Sequence, residues 1–318
     1  MGLGLALYHY EITYYYMGIF NRYINMKIDV IMCTYNSKKR GLLHLVLRSI
    51  RDYIPLNRLI VVDKYSNDGT VELVKQCFRD KSVIVRSNAS IAHARYIGLR
   101  FVETEWFAFI DDDAIILPNW WSTLSRYITL RRVGAIEGSY INLPDVSGEL
   151  HDIFRKEPLT ETELTRRLSI NELTRRDVII HGLNPVRGVL SNVIIRKEAV
   201  VDWKPPNKAG AYEDYLITQH VINKGFSWVI VNKPVALHGT PPRDTLSKLK
   251  SSIRKGLWEG AGIKYTGIPK DFIILYSLSR LGGAVIRLVK DRNVFDLAMR
   301  LAFLLSLLSS DKYLSPSR

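Results

Sequence analysis

Three consecutive carboxylates, Asp111, Asp112 and Asp113, follow directly on the apolar run Trp106-Phe107-Ala108-Phe109-Ile110. Adjacent carboxylates repel one another and cost stability unless a cation or solvent offsets their charge. Oxygen ligands of this kind suit Mg2+ or Mn2+, ions that commonly bridge to substrate phosphates. A second acidic pair, Glu213-Asp214, opens the helix-like stretch EDYLITQHVINKGF. There it serves either as a general base or as a plain complement to the helix dipole. His238 closes the strand-like run WVIVNKPVAL and becomes a metal ligand only if the fold carries it to the Asp cluster. Two further groups stand after apolar runs. Thr34-Tyr35-Asn36 ends IDVIMCT, and Asp63 ends LIVVD. Ser66-Asn67-Asp68-Gly69-Thr70 is turn chemistry, with Asp68 or Thr70 able to cap the next helix.

These groups need a scaffold, and the pattern between Lys27 and His238 supplies one. Short apolar runs at 28–34, 59–63, 82–86 and 106–111 read as strands. Stretches with helical periodicity at 41–53, 71–78 and 91–102 separate them. Such alternation predicts an α/β fold with a mostly parallel, Rossmann-like sheet flanked by helices. Ligands of such sheets bind beyond the carboxyl ends of the strands. The chemistry-bearing residues stand at those ends.

Composition narrows the partners. The chain has 318 residues, 47% hydrophobic and 24% charged, which excludes a disordered or low-complexity class. Two cysteines, Cys33 and Cys77, exclude a disulfide scaffold and are expected as buried free thiols. The net charge of +14 asks for an anionic partner: nucleic acid, an acidic membrane surface or a phosphorylated substrate. Its position is uneven. Residues 240–318 carry 14 Lys and Arg against 6 Asp and Glu, so +8 sits in the last quarter. That quarter also holds the apolar stretches 272–290 and 294–310, interrupted by Arg280, Arg287, Asp296 and Arg300. Neither offers the uninterrupted run of about 20 apolar residues expected of a membrane span. Arg280 and Arg287 are seven apart and share a helical face, the pattern of amphipathic helices in an anionic membrane interface. A nucleic-acid partner would want basic residues interleaved with aromatics rather than leucines, and none is expected.

Taken in order, the motifs resemble those of the family 2 glycosyltransferases, inverting nucleotide-sugar enzymes of the GT-A fold. VIMCTYN (30–36) resembles the opening strand and its Thr-Tyr-Asn turn, and VVDKYSNDGT (61–70) the nucleotide-binding segment. NASIAHARYIGL (88–99) resembles the Ala-Arg segment, FAFIDDDAIILPNW (107–120) the DXD strand, and AYEDYLITQHVINKGF (211–226) the Glu-Asp acceptor-side motif. Cys33, Lys64, Tyr96, Leu216 and His220 stand where the family usually has other residues. No Gln-x-x-Arg-Trp motif follows, which disfavours a processive synthase.

The resemblance implies roles. Thr34, Tyr35 and Asn36 would line the nucleotide pocket, Asp63 would accept from base or ribose, and Arg95 would lie near base or diphosphate. Asp111 and Asp113 would hold Mn2+ or Mg2+, with His238 as a further ligand and Asp112 beside them in the nucleotide-sugar site. Asp214, or its neighbour Glu213, would deprotonate the acceptor. The expected organisation is an extension over 1–25, a GT-A domain over 26–239 and a basic amphipathic helical region over 240–318. The expected activity is transfer of a sugar from a nucleotide diphosphate to a hydroxyl or phosphate acceptor, lipid-linked or glycan. The expected place is the inner face of the cell membrane. Two alternatives stand beside it. A sugar nucleotidyltransferase would want a Gly-rich loop where TYNSKKRG stands, and a non-catalytic membrane scaffold would turn over no nucleotide sugar.

Overall fold

The computed structural model describes residues 26–143, 177–181, 187–207, 212–239 and 245–309. The 1–25 extension, most of the polar stretch 142–184 and the last nine residues lie outside these ranges. Strands β1 (Ile28–Thr34), β2 (Leu56–Asp63), β3 (Ser82–Arg86) and β4 (Trp106–Ile110) form the parallel half of a nine-stranded sheet. The other half is mixed. It holds β5 (Ala114–Ile116), β6 (Val133–Leu143), β7 (Val178–Ile180), β8 (Asn192–Arg196) and β9 (Ser227–Gly239). The order is β3-β2-β1-β4-β8-β6-β9-β5, with β7 also on β9. The antiparallel β8 is inserted between β4 and β6.

The side-chain alternation of β1 explains the layers. Val30 and Met32 point to one face, against Leu43, Val46, Leu47 and Ile50 of α1 (Leu43–Tyr53). Ile31 points to the other face, where Gly98 of α3 (Ile91–Leu99) comes close to it. α2 (Thr70–Phe78) joins the first layer through Val74 and Phe78. On the second face α5 (Glu213–Asn223) packs Ile217 and Val221 beside Phe107, Phe109 and Trp228. Strands apolar on both faces are what a sheet covered on both sides requires. The remaining short helix, α4 (Trp120–Leu124), seats Trp120 and Leu124 in the first layer. Cys33 and Cys77 are free thiols as expected, but only half-buried.

Beyond β9 the described residues are mainly helical. α6 (Thr245–Gly262), α7 (Lys270–Asp291) and α8 (Val294–Leu308) follow. Arg287 of α7 grips Asp296 of α8 through Nε at 2.9 Å and Nη2 at 2.6 Å. Ile263, Ile273 and Phe303 form a small core of their own, and Tyr212, at the start of α5, packs against it. Contrary to the sequence reading, α7 is long and apolar enough, by length and composition, to cross a membrane. Only 17% of its most apolar window is buried, so the apolar face is turned outward.

Gly256 and Gly260 let α6 and α8 approach to backbone distance. A Cβ on either would run into a carbonyl oxygen of α8, that of Met299 or Phe303 respectively. Small residues one turn apart are the usual way to bring two helix backbones together. Gly260→Leu is therefore expected to force the pair apart, at a cost of about 1–3 kcal/mol as in other overpacked sites. A thermal melt that leaves its midpoint unchanged would show that the close approach does not matter.

Candidate active site

The candidate donor side is a set of loops tied together by one carboxylate. Asp63, at the carboxyl end of β2, is fully buried. It accepts from Thr34 Oγ1 at 2.8 Å, from the Ser66 amide at 2.8 Å and from Ser66 Oγ at 2.5 Å. Ser66 Oγ in turn accepts from the Asn36 amide at 2.8 Å, and Asn36 Oδ1 accepts from the Asn67 amide at 3.0 Å. Asp63 thus holds the loop after β1 to the loop after β2, and its oxygens face protein donors rather than open cleft. Asn36 and Tyr65 take left-handed backbone conformations in this knot, and Tyr35 is left 59% exposed beside it. The N-cap of α2 is Gly69, without a side-chain cap; Asp68, one residue earlier, accepts from the Thr70 amide at 3.1 Å, and neither Asp68 nor Thr70 is the cap.

The three consecutive carboxylates separate into three environments. Asp111 pairs with Arg95 Nη2 at 2.8 Å. Asp112 is buried against Ser37 Oγ and the guanidinium of Arg40. Asp113 has only a distant cation, Arg40 Nη1 at 3.9 Å. Burial, then the charges of Asp111 and Asp112, pushes the Asp113 carboxyl up to about 8. Burial also raises Asp112, with Arg40 and Ser37 opposing. Part of the charge that the sequence assigns to a missing cation is therefore met by two arginines of the chain.

His238 reaches the cluster through the sheet. β5 and β9 are antiparallel with Ala114 opposite His238, which sets the imidazole next to Asp113. His238 Nε2 lies 3.4 Å from Asp113 Oδ1. One ligand atom each from Asp111, Asp113 and His238 lie within 4.8 Å of one another. Burial lowers the His238 pKa, so the ring is the neutral form that binds metals. Its Nδ1 is buried without a hydrogen-bond partner among the described residues. Two carboxylates and one neutral imidazole are a donor set that fits Mn2+ or Mg2+.

The acceptor-side acids divide. Glu213 is buried and bonds Arg95 Nη1, so Arg95 spans Asp111 and Glu213 over the face of Phe109. Burial opposes the Arg95 charge, but the carboxylates around it outweigh burial and its pKa lies above the ordinary value. Arg95 is thus committed to protein carboxylates rather than to an open diphosphate position. Asp214 pairs instead with Arg187 Nε at 2.7 Å, and the Arg187 guanidinium lies 4.5 Å over the Tyr212 ring.

Residues 29–177 match the model of glycosyl transferase family 2. The matched segment is a family 2 glycosyltransferase domain. A curated relative, the glucosyl-dolichyl phosphate glucuronosyltransferase of Haloferax volcanii, is 31% identical over 105 residues. That alignment takes in 31% of this chain and 33% of the relative, so only a third of the relative's length is spanned. Among solved structures, mannosyltransferase PcManGT from Pyrobaculum calidifontis, in complex with GDP-Man and Mn2+, superposes with a TM-score of 0.55. It is 14% identical, with 96% of this chain and 97% of that one covered. S. aureus TarS 1-349 in complex with UDP-GlcNAc gives 0.51 at 18% identity, over 74% of this chain and 66% of that one. At these identities the two structures establish a shared GT-A fold.

Three charged residues near the candidate site escape the motif reading. Arg40 was visible only as part of a basic loop, and Arg187 sits in a stretch without periodicity. Glu137 is the lone acid in VGAIEGSY and could have been noticed as a charge inside a strand. Its Oε2 accepts from Val189 N and from Trp228 Nε1, both at 2.9 Å. Burial pushes its carboxyl up to about 7 against those bonds. A raised carboxyl pKa stabilises the fold below the unfolded value and loses that contribution as pH rises through the folded one. Stability is therefore expected to fall between roughly pH 4.5 and 7. Glu137→Gln should flatten that part of a melting-temperature profile, since its amide oxygen can accept the same two bonds. Arg95→Met leaves the buried Glu213 and the one-third-exposed Asp111 without their cation, and is expected to cost about 3 kcal/mol in denaturant titrations, the low end for a broken buried pair because Asp111 keeps solvent contact.

Proposed function

We propose that the chain transfers a sugar, with inversion, from a nucleotide diphosphate sugar to a lipid-linked acceptor. The observation that carries the reading is the meeting of Asp111, Asp113 and His238 at the strand ends of a family 2 glycosyltransferase domain. Asp111 and Asp113 would hold Mn2+ or Mg2+, with His238 as the third ligand. Such an ion supplies Lewis-acid neutralisation of a diphosphate leaving group. Thr34, Tyr35 and Asn36 bound the nucleotide side. Asp63 acts there by fixing the loop that carries them rather than by touching the base or ribose. Asp112, buried under Arg40, has the same kind of duty.

On the acceptor side Asp214 accepts the proton of an attacking hydroxyl, and Arg187 fixes the orientation of its carboxylate. Glu213, sequestered by Arg95, is a positioning residue. One base and no covalent nucleophile make a single displacement, hence inversion. The lipid-linked acceptor is supported by the naming of the Haloferax relative, a glucosyl-dolichyl phosphate glucuronosyltransferase. It is supported also by the outward apolar side chains of α7 and α8, including Leu275, Ile286, Val289, Leu305 and Leu308. With the basic charge of 240–318 these favour an anionic membrane surface, on the inner face of the cell membrane.

EDTA is expected to stop turnover, and Mn2+ or Mg2+ to restore it; EDTA-insensitive transfer would remove the metal from the reading. Asp113→Ala should lose nucleotide-sugar stabilisation in a thermal-shift assay, whereas Asp214→Asn should keep it. Asp214→Asn should nonetheless lose transfer to a hydroxyl by about 10²–10⁴-fold. Full activity in Asp214→Asn would sink the base assignment.

A further inference from the structure

A cavity of ≈ 200 Å³ lies between the glycosyltransferase domain and the helices α6, α7 and α8. Its walls carry four cations, Arg187, Lys255, Arg280 and Arg300, and two tyrosines, Tyr212 and Tyr276. Glu259 is its one lining acid. Arg187 is already engaged by Asp214, with Glu259 further off at 3.9 Å, and Arg300 has Asp296 at 3.3 Å. Lys255 and Arg280 have no carboxylate partner among the described residues; Arg280 has only the Tyr276 ring, 5.8 Å away. Lys255 and Arg280 are both solvent-exposed, so their charges are free to meet an anion that enters the cavity.

The cavity is joined to the reaction centre through Arg187, which lines it and also holds Asp214. Its outer walls, α7 and α8, are the helices with outward apolar side chains. An anion seated here thus lies between the candidate base and the apolar face.

We propose that this cavity binds the phosphate of a lipid-linked sugar phosphate, which places a hydroxyl of that sugar at Asp214. The proposal rests on the transferase reading above and specifies its acceptor class. Phosphate suits the walls because guanidinium and ammonium donors form charge-assisted hydrogen bonds with it, and tyrosine hydroxyls can add neutral ones. The apolar faces of α7 and α8 would take the lipid chain.

The test is calorimetric titration of the full chain in detergent with farnesyl phosphate, farnesol and inorganic phosphate. Farnesyl phosphate is expected to bind at least about tenfold more tightly than farnesol, the worth of one or more charged hydrogen bonds. Inorganic phosphate should compete with it, and Arg280→Gln with Lys255→Gln should weaken it by a similar factor. Equal binding of alcohol and phosphate, or no loss in the double variant, would overturn the proposal. Displacement of farnesyl phosphate by phosphatidylglycerol vesicles but not by phosphatidylcholine vesicles would also overturn it, by assigning the cavity to bulk anionic headgroups. Nucleotide-sugar stabilisation is measured on the same samples. Its loss in the wild-type chain would refute the transferase reading, whereas its persistence alongside unchanged farnesyl phosphate binding in the variant would refute only the cavity assignment.

Discussion

Arg95 is buried in the second face of the sheet, with Asp111 on one side of its guanidinium and Glu213 on the other. The carboxylates come from separate elements, one from the end of β4 and one from the first turn of α5. Glu213 is buried and Asp111 one-third exposed, and a cation between them offsets the cost that two like charges in a poorly solvated site impose on each other's ionisation. The guanidinium is suited to this position because its planar fork addresses two acceptors at once. Its contact with Phe109 adds a favourable ring face beneath the charge. The spacing of the end of β4 from the start of α5 is thereby set by one side chain.

The same logic orders the other carboxylates. Arg40 does for Asp112 what Arg95 does for Asp111, and Arg187 does it for Asp214. Asp113 has the weakest cationic company of the triplet, and burial with its two acidic neighbours pushes its carboxyl up to about 8. That makes it the member best served by an added divalent ion, and the neutral ring of His238 stands where it can share one. The triplet is thus two internally compensated acids and one poised acid. Asp111 belongs to both descriptions, as a partner of Arg95 and a member of the three-residue cluster.

The strands and helices of the parallel half were legible because each is apolar at its own period and ends at turn chemistry. β1, β2 and β4 deliver Thr34, Asp63 and Asp111 to one edge, as their carboxyl-end placement implied. What the sequence could not show is which charges neutralise one another. Arg95 read as a ligand for a diphosphate because nothing local announces a partner 118 residues away. Asp63 read as a ribose acceptor because burial is not a property of its own segment. The antiparallel insertion of β8 and the β5–β9 ladder bring distant pieces together, and periodicity carries no register between strands. The apolar length of α7 was hidden by Arg280 and Arg287, whose charges broke the run without making the whole helix polar.

The tail is more than an attachment. Tyr212 packs against its small core, and the same residue stands at the left-handed start of α5, directly before Glu213 and Asp214. Its ring also lies under Arg187, the partner of Asp214. A shift of α7 and α8, through Ile273 and Phe303, would therefore bear on Tyr212. Tyr212 holds a backbone conformation that non-glycine residues adopt only under constraint, so the packing around it helps define where α5 begins. The contacts that hold the tail helices together therefore also bear on where α5 and Asp214 stand.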